Sequence, residues 1–520
     1  MPIRMEKDPQ KPDRNEGRRR RNPNQQGSGG GFSPGRILPM ILMLVFKKPK
    51  LLVPVLIIGG LWYFFFGGSN MLAGPAAEDE NFSFSLGANL DQQRYDKAEV
   101  FEPLAAGKWN NTPRSVSLLK YAPTRGQQGR QGSCVGWASA YGARTILQAR
   151  ATGQNPDAIR FSPAYLYNQI ALSGCQGAYM LDAMKTMKSN GGVPFDQFRY
   201  DDRDCSNEPG SALINMGRQF QIKGYNRLTV GGNTYTPDID GIRQNLAQGA
   251  PVVIGMQVGG TFMSRMMGKK VWHPTSSDRT MRGFSGHAMC VIGYDDDLEG
   301  GAFQIMNSWG ERWGQKGIGW VKYGDFQDYV KEAYGLYPMG SADQINQDKL
   351  AVEFGLLDLK SEQTIPLEQA GDILFRSTRP INKGDKFKVL VANTIECYVY
   401  VFGQETDGSS YVLFPYTEKH SAYCGITGTR LFPRDYSMKA DELGTTDYMA
   451  IVVSKKALDF NALNANINNS RQRSYADKLK EAVGSQRMTN AQFKAGNTVA
   501  FAAESKTQNV VATVIALSKQ

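Results

Sequence analysis

The sequence predicts an N-terminal membrane segment, then an α+β domain with a helical lobe and a β-barrel-like lobe, then a β-sandwich-like domain. An uncharged apolar run at residues 51–68 predicts the membrane segment. Over residues 111–338, helix-like patterns precede strand-like ones, which is typical of α+β folds. From residue 351 to 520, short alternating runs separated by turn residues predict a β-sandwich. A chain of 520 residues is long enough for this arrangement.

Positive charge is concentrated at the N-terminus. Residues 1–50 hold twelve Lys and Arg against four Asp and Glu, which is a net +8 of the +11 carried by the whole chain. Residues 1–36 are predicted to be a disordered basic tail, although such a patch also suits anionic lipid or nucleic acid. Because the rest of the chain is nearly neutral, we expect no nucleic-acid partner for the folded domains.

The apolar segment 37–68 is predicted to attach the chain to a membrane. Residues 51–67 have the length of a short spanning helix, about 17–25 residues, whereas residues 37–46 do not. Positive residues on the N-terminal side place the tail in the cytoplasm and everything after residue 68 outside it. The sequence thus predicts a single-pass protein of a bacterial inner membrane whose folded part faces the periplasm. A cleaved signal peptide is the alternative, but its charged region would be unusually long.

The region between the membrane segment and the domain at 111–338 shows little hydrophobic periodicity. Residues 69–110 are polar and are predicted to be a stalk. The domain at 111–338 begins with helix-like segments such as "GWASAYGARTILQARA" and "YMLDAMKTMKSN". Strand-like runs follow, among them "PVVIGMQV", "AMCVIGYD" and "AFQIMNSW". A helical half before a β half predicts two lobes with a cleft between them.

After a linker at 339–350, the sequence consists mainly of short strand-like runs. Runs such as "DKFKVLVAN", "ECYVYVFGQ" and "VVATVIALS" predict the strands of the domain at 351–520, and "SRQRSYADKLKEAV" predicts a helix among them. Cys397 and Cys424 lie in neighbouring strand-like segments. A disulfide between them is permitted outside the cytoplasm, but no motif requires it. Nothing in this domain predicts chemistry.

A cysteine that follows a Gly- and Gln-rich loop predicts a nucleophile. In "QGRQGSCVGWASAYG", Cys134 stands where a helix should begin, with Ser133 available as its N-cap, and a helix N-terminus favours a thiolate. The chain has three histidines, and His287 in "SGHAMCVIGYD" leads into a buried strand. Asn307 follows in "QIMNSWGERWG", where its side-chain oxygen can accept from the imidazole N–H and fix the tautomer. No CxxC or HExxH motif appears, so we expect neither a metal nor a cofactor.

These motifs, in this order, resemble the papain-like cysteine peptidase family. The resemblance implies that Cys134 is the nucleophile, that His287 is the base and that Asn307 orients it. "QGRQGSC" is similar to the family's approach to the nucleophile, which implies an oxyanion-binding role for Gln128. "NSWGERWGQKGIGWVK" is similar to the run that contains the family's Asn, which implies that the indole of Trp309 covers the Asn–His pair.

The resemblance covers about residues 111–338 and includes "SGCQGAYMLDAMKTMKSNGGVPFDQFRYDDRDC". That stretch implies a disulfide between Cys175 and Cys205. Two departures from the family stand out. The family usually has Trp directly after the catalytic cysteine, whereas here Trp137 comes third. The residues between 68 and 111 also leave no room for the family's long helical inhibitory pro-segment.

The C-terminal stretch "ECYVYVFGQETDGSSYVLFPY" resembles a bacterial domain of unknown function that is often attached to envelope enzymes and is read as a module for a ligand or a partner protein. Together the two resemblances imply a membrane-anchored, extracytoplasmic cysteine peptidase that hydrolyses peptide bonds of a peptide or protein through a thiol acyl-enzyme. Two alternatives stay open. One is an inactive papain-like scaffold that binds peptides in the envelope, and the other is an acyl transferase or peptide ligase that uses the same thiol.

Overall fold

The computed structural model describes residues 3–8, 84–105, 107–230, 235–339, 348–434 and 436–520. The predicted membrane helix at 51–67, like the rest of segment 37–68, lies outside these residues. No helix in the described part of the chain is long and apolar enough to cross a membrane.

One lobe of the first domain is built around a buried helix that begins at Cys134. The helix continues through a π-helical stretch, Trp137–Arg144, and ends at Thr152, after which Gly153 takes the left-handed conformation with φ 70°. All side chains from 134 to 147 are buried, so this helix forms the centre of the lobe. The other helices of the domain are Gln92–Tyr95, Pro163–Tyr167, Met180–Ser189, Ser211–Gly217, Ile239–Ala247, Gly260–Ser264 and Tyr323–Tyr329.

The other lobe is an antiparallel sheet with seven strands among the described residues. Its centre pairs Ser285–Asp295 with Val252–Val258, and His287 lies opposite Met256 in this ladder. Both strands are buried along almost their whole length, as their continuous apolar sequences predict. Across the sheet the order is Ile318–Lys322, Ala302–Met306, Ser285–Asp295, Val252–Val258, Val330–Leu336 and Tyr225–Arg227, with Ser115–Ser117 beside Ser285–Asp295.

A buried hydrophobic cluster joins the helical lobe to the sheet. It contains Val135 and Ile146 from the central helix together with Ile254 and Val291 from the sheet. The predicted α+β domain with two lobes is therefore confirmed. The structure also contains the Cys175–Cys205 disulfide, which ties together two loops of the helical lobe.

The C-terminal domain consists of two sheets packed face to face over an apolar core. The prediction of a β-rich sandwich is confirmed, and the first strand begins at Lys349, just before the predicted boundary. One sheet runs in the order Ile3–Lys7, Tyr436–Ala440, Lys386–Asn393, Lys349–Asp358, Val499–Glu504 and Gln492–Lys494, with Gln363–Ile365 and Gly428–Phe432 alongside. The other runs in the order Leu367–Gln369, Leu374–Ser377, Val510–Ser518, Thr446–Ser454, Cys397–Gln404 and Ser410–Phe414, with Tyr423–Cys424 alongside.

Two helices cover the outer face of the second sheet. Tyr475–Val483 is the helix predicted from the sequence, and Phe460–Asn469 precedes it. Their apolar side chains form a second buried layer with Tyr400 and Val452 of the sheet. Cys397 and Cys424 lie directly opposite each other in their ladder, but both are free buried thiols, so the disulfide considered between them is not formed.

Two predictions about the N-terminal third are wrong for the residues that the structure describes. Residues 3–8, assigned to a disordered tail, include a strand that pairs with Tyr436–Ala440 of the C-terminal domain. The described part of the predicted stalk is folded against both domains, with Tyr95 fully buried and Val100–Phe101 paired with His420–Ser421. Both segments pair with residues that are far away in the sequence, so their order comes from long-range contacts that no local pattern encodes.

Candidate active site

An imidazole, an amide and an indole form a fixed group at the edge of the first domain's sheet. His287 Nε2 lies 2.8 Å from Asn307 Oδ1, and we assign the proton to this nitrogen because the amide oxygen can only accept. The backbone N–H of Ser308 also donates to that oxygen, at 2.7 Å. The indole of Trp309 stacks on the imidazole at 4.4 Å between ring centroids. Within the described residues Nδ1 has no hydrogen-bond partner, so it is the nitrogen available to a thiol.

The thiol of Cys134 lies beside this group at the first residue of the central helix. Its Sγ accepts from the backbone N–H of Ala288, 3.3 Å away and adjacent in sequence to His287. The positive end of the helix dipole favours a thiolate at this position. Ser133 does not cap the helix with its side chain as predicted, because its hydroxyl is hydrogen-bonded to Tyr200 Oη instead.

Burial keeps the thiol and the imidazole uncharged in this structure. It raises the pKa of Cys134 to about 12, although the main-chain N–H groups of Ala288, Cys134 and Ala88 oppose the shift. Burial also lowers the pKa of His287 to about 4, although its hydrogen bond to Asn307 opposes this shift. Both shifts have the sign expected of groups removed from water. An ion pair between the two side chains requires water, or a substrate, to reach them.

Gln128 is held rigidly in the loop that leads to Cys134. Its Oε1 accepts from the Ser308 hydroxyl at 2.7 Å, and its backbone carbonyl accepts from Tyr200 Oη at 2.6 Å. Its Nε2 is thereby directed at the carbonyl oxygens of Gln131, at 3.0 Å, and of Ser85, at 3.1 Å. A fixed amide N–H beside a thiol is the kind of donor that stabilises an oxyanion.

The structure brings together the five predicted residues Cys134, His287, Asn307, Gln128 and Trp309. Sequence reasoning missed Ser308 and Tyr200, which orient the glutamine. Ser308 directly follows Asn307 in the motif, and that adjacency was a usable signal. Tyr200 comes from a distant loop, and no sequence signal marks it.

Comparison with known proteins agrees with this geometry. The model of the family described as papain family cysteine protease matches residues 119–338. The chain contains a papain-family cysteine protease domain. A model of a domain of unknown function, DUF4384, matches residues 381–457 within the C-terminal β domain.

Relatives of the protease domain come from distant sources. An uncharacterized peptidase C1-like protein of Acanthamoeba polyphaga mimivirus is 28% identical over 39% of this chain and 66% of its own length. Cathepsin K of Mus musculus is 27% identical over 43% of this chain and 63% of its own length. The chain thus spans about two thirds of the length of these relatives. The crystal structure of xylellain, a cysteine protease from Xylella fastidiosa, aligns with a TM-score of 0.40 and 21% identity over 51% of this chain and 99% of that chain.

The cleft of the protease domain is filled by the chain itself. Residues 84–90, here called the cleft segment, run between the thiol and the walls of the cleft. The Ser85 carbonyl accepts from Gln128 Nε2 and from Trp309 Nε1, each at 3.1 Å. The ring of Phe84 stacks on Trp309 at 4.5 Å. The donor that would serve an oxyanion is therefore occupied by a main-chain carbonyl.

Main-chain hydrogen bonds hold the middle of the cleft segment on both sides. Gly87 and Ala88 donate to the Gly286 carbonyl at 3.2 and 3.1 Å. On the opposite wall, the Gly87 carbonyl accepts from Ala178 N–H at 2.9 Å, and Asn89 N–H donates to the Ala178 carbonyl at 3.0 Å. These bonds do not depend on side chains. They require only that the segment be extended and that it have small residues where the walls of the cleft come close.

Glycine at position 87 makes this close approach possible. A Cβ there would lie 2.0 Å from the Gly132 carbonyl oxygen, two residues before the thiol. At the end of the segment, Leu90 fills a space that exists because Gly255 has no side chain, since a Cβ on Gly255 would lie 2.4 Å from Leu90 Cδ2. The predicted stalk thus includes a segment shaped to close the cleft.

Proposed function

We propose that this protein is a cysteine peptidase that hydrolyses peptide bonds through a thiol acyl-enzyme. The observation that carries the proposal is the fixed position of His287. Its Nε2 is bound to Asn307, its Nδ1 has no hydrogen-bond partner in the described part of the chain, and the N–H of the next residue binds Cys134 Sγ. This is the arrangement that a Cys–His nucleophile needs, because the orienting amide selects the tautomer without adding a charge. The papain-family match over residues 119–338 supports the same reaction.

In the proposed reaction, Cys134 transfers its proton to His287 and attacks the substrate carbonyl as a thiolate. The C–S bond forms as the carbonyl π electrons move to oxygen, where Gln128 Nε2 and the Cys134 backbone N–H stabilise the negative charge. His287 then protonates the leaving amine and the C–N bond breaks. Water, deprotonated by the same imidazole, releases the acid and restores the thiol.

We propose that the enzyme is latent while the cleft segment is bound. The segment occupies the Gln128 donor, excludes water from Cys134 and His287, and leaves both groups neutral. The segment occupies main-chain groups of Ala178 and Gly286 on the two walls of the cleft, which an extended peptide substrate would otherwise meet. Activity therefore requires the segment to leave, and the family's long helical pro-segment is replaced by seven residues.

Hydrolysis is tested by digesting a denatured protein in water enriched in ¹⁸O. The full chain carries Gly87→Ala, which releases the cleft segment, and is compared with the same chain that also carries Cys134→Ala. Hydrolysis predicts new C-termini that carry one ¹⁸O atom, formed by the first protein and not by the second. Products joined to an added amine, without ¹⁸O, would identify a transferase or ligase instead. Equal cleavage with and without Cys134 would show that a contaminant cleaves the substrate.

We also propose that segment 37–68 attaches the chain to a membrane and that the protease domain faces an oxidising compartment outside the cytoplasm. The uncharged run at 51–68 and the Cys175–Cys205 disulfide support this location. The test is membrane sedimentation after carbonate washing, together with protease digestion of intact and opened cells. Recovery of the chain in the washed soluble fraction would contradict attachment.

A further inference from the structure

We propose that the C-terminal β domain is a peptide-binding module that takes up an extended strand of the pattern Ile-x-x-Glu-x-Asp, and that its ligand is the N-terminal strand of its own chain. The acceptor is the sheet edge formed by Tyr436–Ala440, here called the acceptor edge. This inference concerns a site separate from the protease cleft and does not depend on the proposed activity.

The backbone of the N-terminal strand completes a sheet. Ile3–Lys7 pairs antiparallel with the acceptor edge over five residues, from Ile3 opposite Ala440 to Lys7 opposite Tyr436. On its other side the acceptor edge pairs with Lys386–Asn393 only through Lys439 and Met438. Without the N-terminal strand, the main-chain groups of this edge would face solvent, which is the usual starting point for strand addition.

An apolar anchor fixes the register of the strand. Ile3 is 1% exposed and belongs to the core between the two sheets, together with Met438 and Ala440. Tyr411 Oη accepts from the Ile3 N–H at 3.1 Å and donates to the Ile3 carbonyl at 3.2 Å. Because side chains alternate between faces along a strand, a shift by one residue would place Arg4 in the apolar site.

Two acidic side chains, Glu6 in the strand and Asp8 directly after it, meet three lysines of the domain. Glu6 lies 2.9 Å from Lys386 Nζ and 3.0 Å from Lys439 Nζ. Asp8 lies 2.7 Å from Lys388 Nζ and accepts from the Ser437 hydroxyl. The spacing of the two acids by two residues places both on one face of the strand. The lysines thus select acidic residues at these two positions.

Lys388 is the strongest indication that an acidic ligand belongs here. It is 8% exposed, and its ammonium group also donates to the carbonyls of Pro433 and Arg434, each at 2.8 Å. In the described part of the chain, Asp8 is the only carboxylate paired with it. A buried ammonium group without a counter-charge is costly, so the site is built around an incoming acid.

The pairing constrains how the chain is placed at a membrane. A strand and its acceptor edge must lie in the same compartment, so residues 3–8 and the two folded domains lie on the same side of any membrane to which the chain is attached. The predicted single-pass arrangement, with a cytoplasmic N-terminus and an extracytoplasmic protease domain, does not satisfy this condition. The proposed attachment therefore requires that both ends of segment 37–68 lie on the same side of the membrane.

The test uses the full chain in detergent with Ile3→Asp, Glu6→Lys and Asp8→Lys combined, which disables the strand and leaves the acceptor edge intact. A fluorescent peptide of residues 1–10 should bind this variant at least tenfold more tightly than the wild type, whose own strand competes from within the chain. A peptide with the same three substitutions serves as the matched control and should not bind. Absence of binding to the variant, or equal binding of both peptides, would overturn the proposal.

Three further measurements guard the test against misfolding and against strand exchange between copies. With Lys439→Glu added to the variant, a peptide carrying Glu6→Lys should bind better than the native peptide, and the reverse preference would contradict the pairing. In the wild type, the acceptor edge should exchange its amide hydrogens more slowly than in the triple variant. The wild type should be monomeric, and a dimer that dissociates in the triple variant would show that a second copy supplies the strand.

Discussion

Replacing Gly87 by Ala should release the cleft segment and activate the enzyme. The added methyl group would lie 2.0 Å from the carbonyl oxygen and 2.4 Å from the carbonyl carbon of Gly132. Both are main-chain atoms of the loop that leads to Cys134, so they cannot rotate away as a flexible side chain could. The hydrogen bonds of Gly87 to Gly286 and Ala178 on opposite sides also prevent the segment from shifting sideways.

The size of the effect follows from this overlap. Forcing one extra methyl group into a filled site typically costs about 1–3 kcal/mol. At 1.36 kcal/mol for each factor of ten, the open fraction should rise about 5- to 150-fold while the closed form still dominates. The rate at which a thiol-directed epoxide alkylates Cys134, and kcat/KM on a fluorogenic peptide, should both rise by this factor. Gly324→Ala is the matched control, since a Cβ there meets nothing within 4 Å.

A second variant separates release of the segment from distortion of the catalytic loop. Phe84→Ala removes the stack on Trp309 without touching Gly132, and such a pair is worth about 0.5–1.5 kcal/mol, so alkylation should rise about 2- to 13-fold. If both variants react as slowly as the wild type, with unchanged thermal unfolding, the cleft segment does not control access. If the wild type already reacts as fast as the variants, the enzyme is not latent.

The remaining predictions concern the catalytic groups, the disulfide and pH. Gln128→Ala should lower kcat about 10²- to 10³-fold. Asn307→Ala removes the hydrogen bond that orients His287, which is worth about 0.5–1.5 kcal/mol, and should lower kcat only about 2- to 13-fold. Steady-state kinetics on one peptide measure both variants, and equal effects would contradict the assigned roles. Replacing Cys175 and Cys205 by Ser should lower the free energy of unfolding by about 3–4 kcal/mol for a separation of 30 residues, measured by guanidinium denaturation, and no change in midpoint would refute it. Burial lowers the pKa of His287 to about 4 from 6.5, so the closed form binds this proton less readily than an open, hydrated form. Acidification from about pH 6.5 toward 4 should therefore speed hydrogen exchange in the cleft segment, after correction for the intrinsic effect of pH. Slower exchange would contradict the lowered pKa of His287 in the closed form.

The sequence predicted the catalytic group because each member sits in a local context that its chemistry needs. Cys134 begins a helix, His287 enters a buried strand, and Asn307 directly follows a strand, and each context is visible over ten to fifteen letters. The two lobes and the β-rich domain were predictable for a similar reason, since hydrophobic periodicity is a local property. The disulfide followed from the family resemblance rather than from any spacing rule.

The two N-terminal segments escaped prediction because their order depends on distant partners. The cleft segment is held by main-chain hydrogen bonds to Ala178 and Gly286. Its own sequence needs only a residue without a side chain at position 87, where the chain passes close to Gly132. The N-terminal strand is five residues long, and its single fully buried side chain, Ile3, sits among charged neighbours. A charged segment of this kind is indistinguishable from a disordered tail until the lysines that it meets are known.

The most direct test of the central claim is the intact mass of the protein after exposure to an epoxide that alkylates activated thiolates. It compares the wild type, Gly87→Ala and Cys134→Ala, each shown to be folded. One adduct on Gly87→Ala, a slower adduct on the wild type and none on Cys134→Ala would show that Cys134 is an activated nucleophile behind a removable segment. No adduct on Gly87→Ala, or an equal adduct on Cys134→Ala, would contradict the assignment of this site as the catalytic centre of a cysteine peptidase.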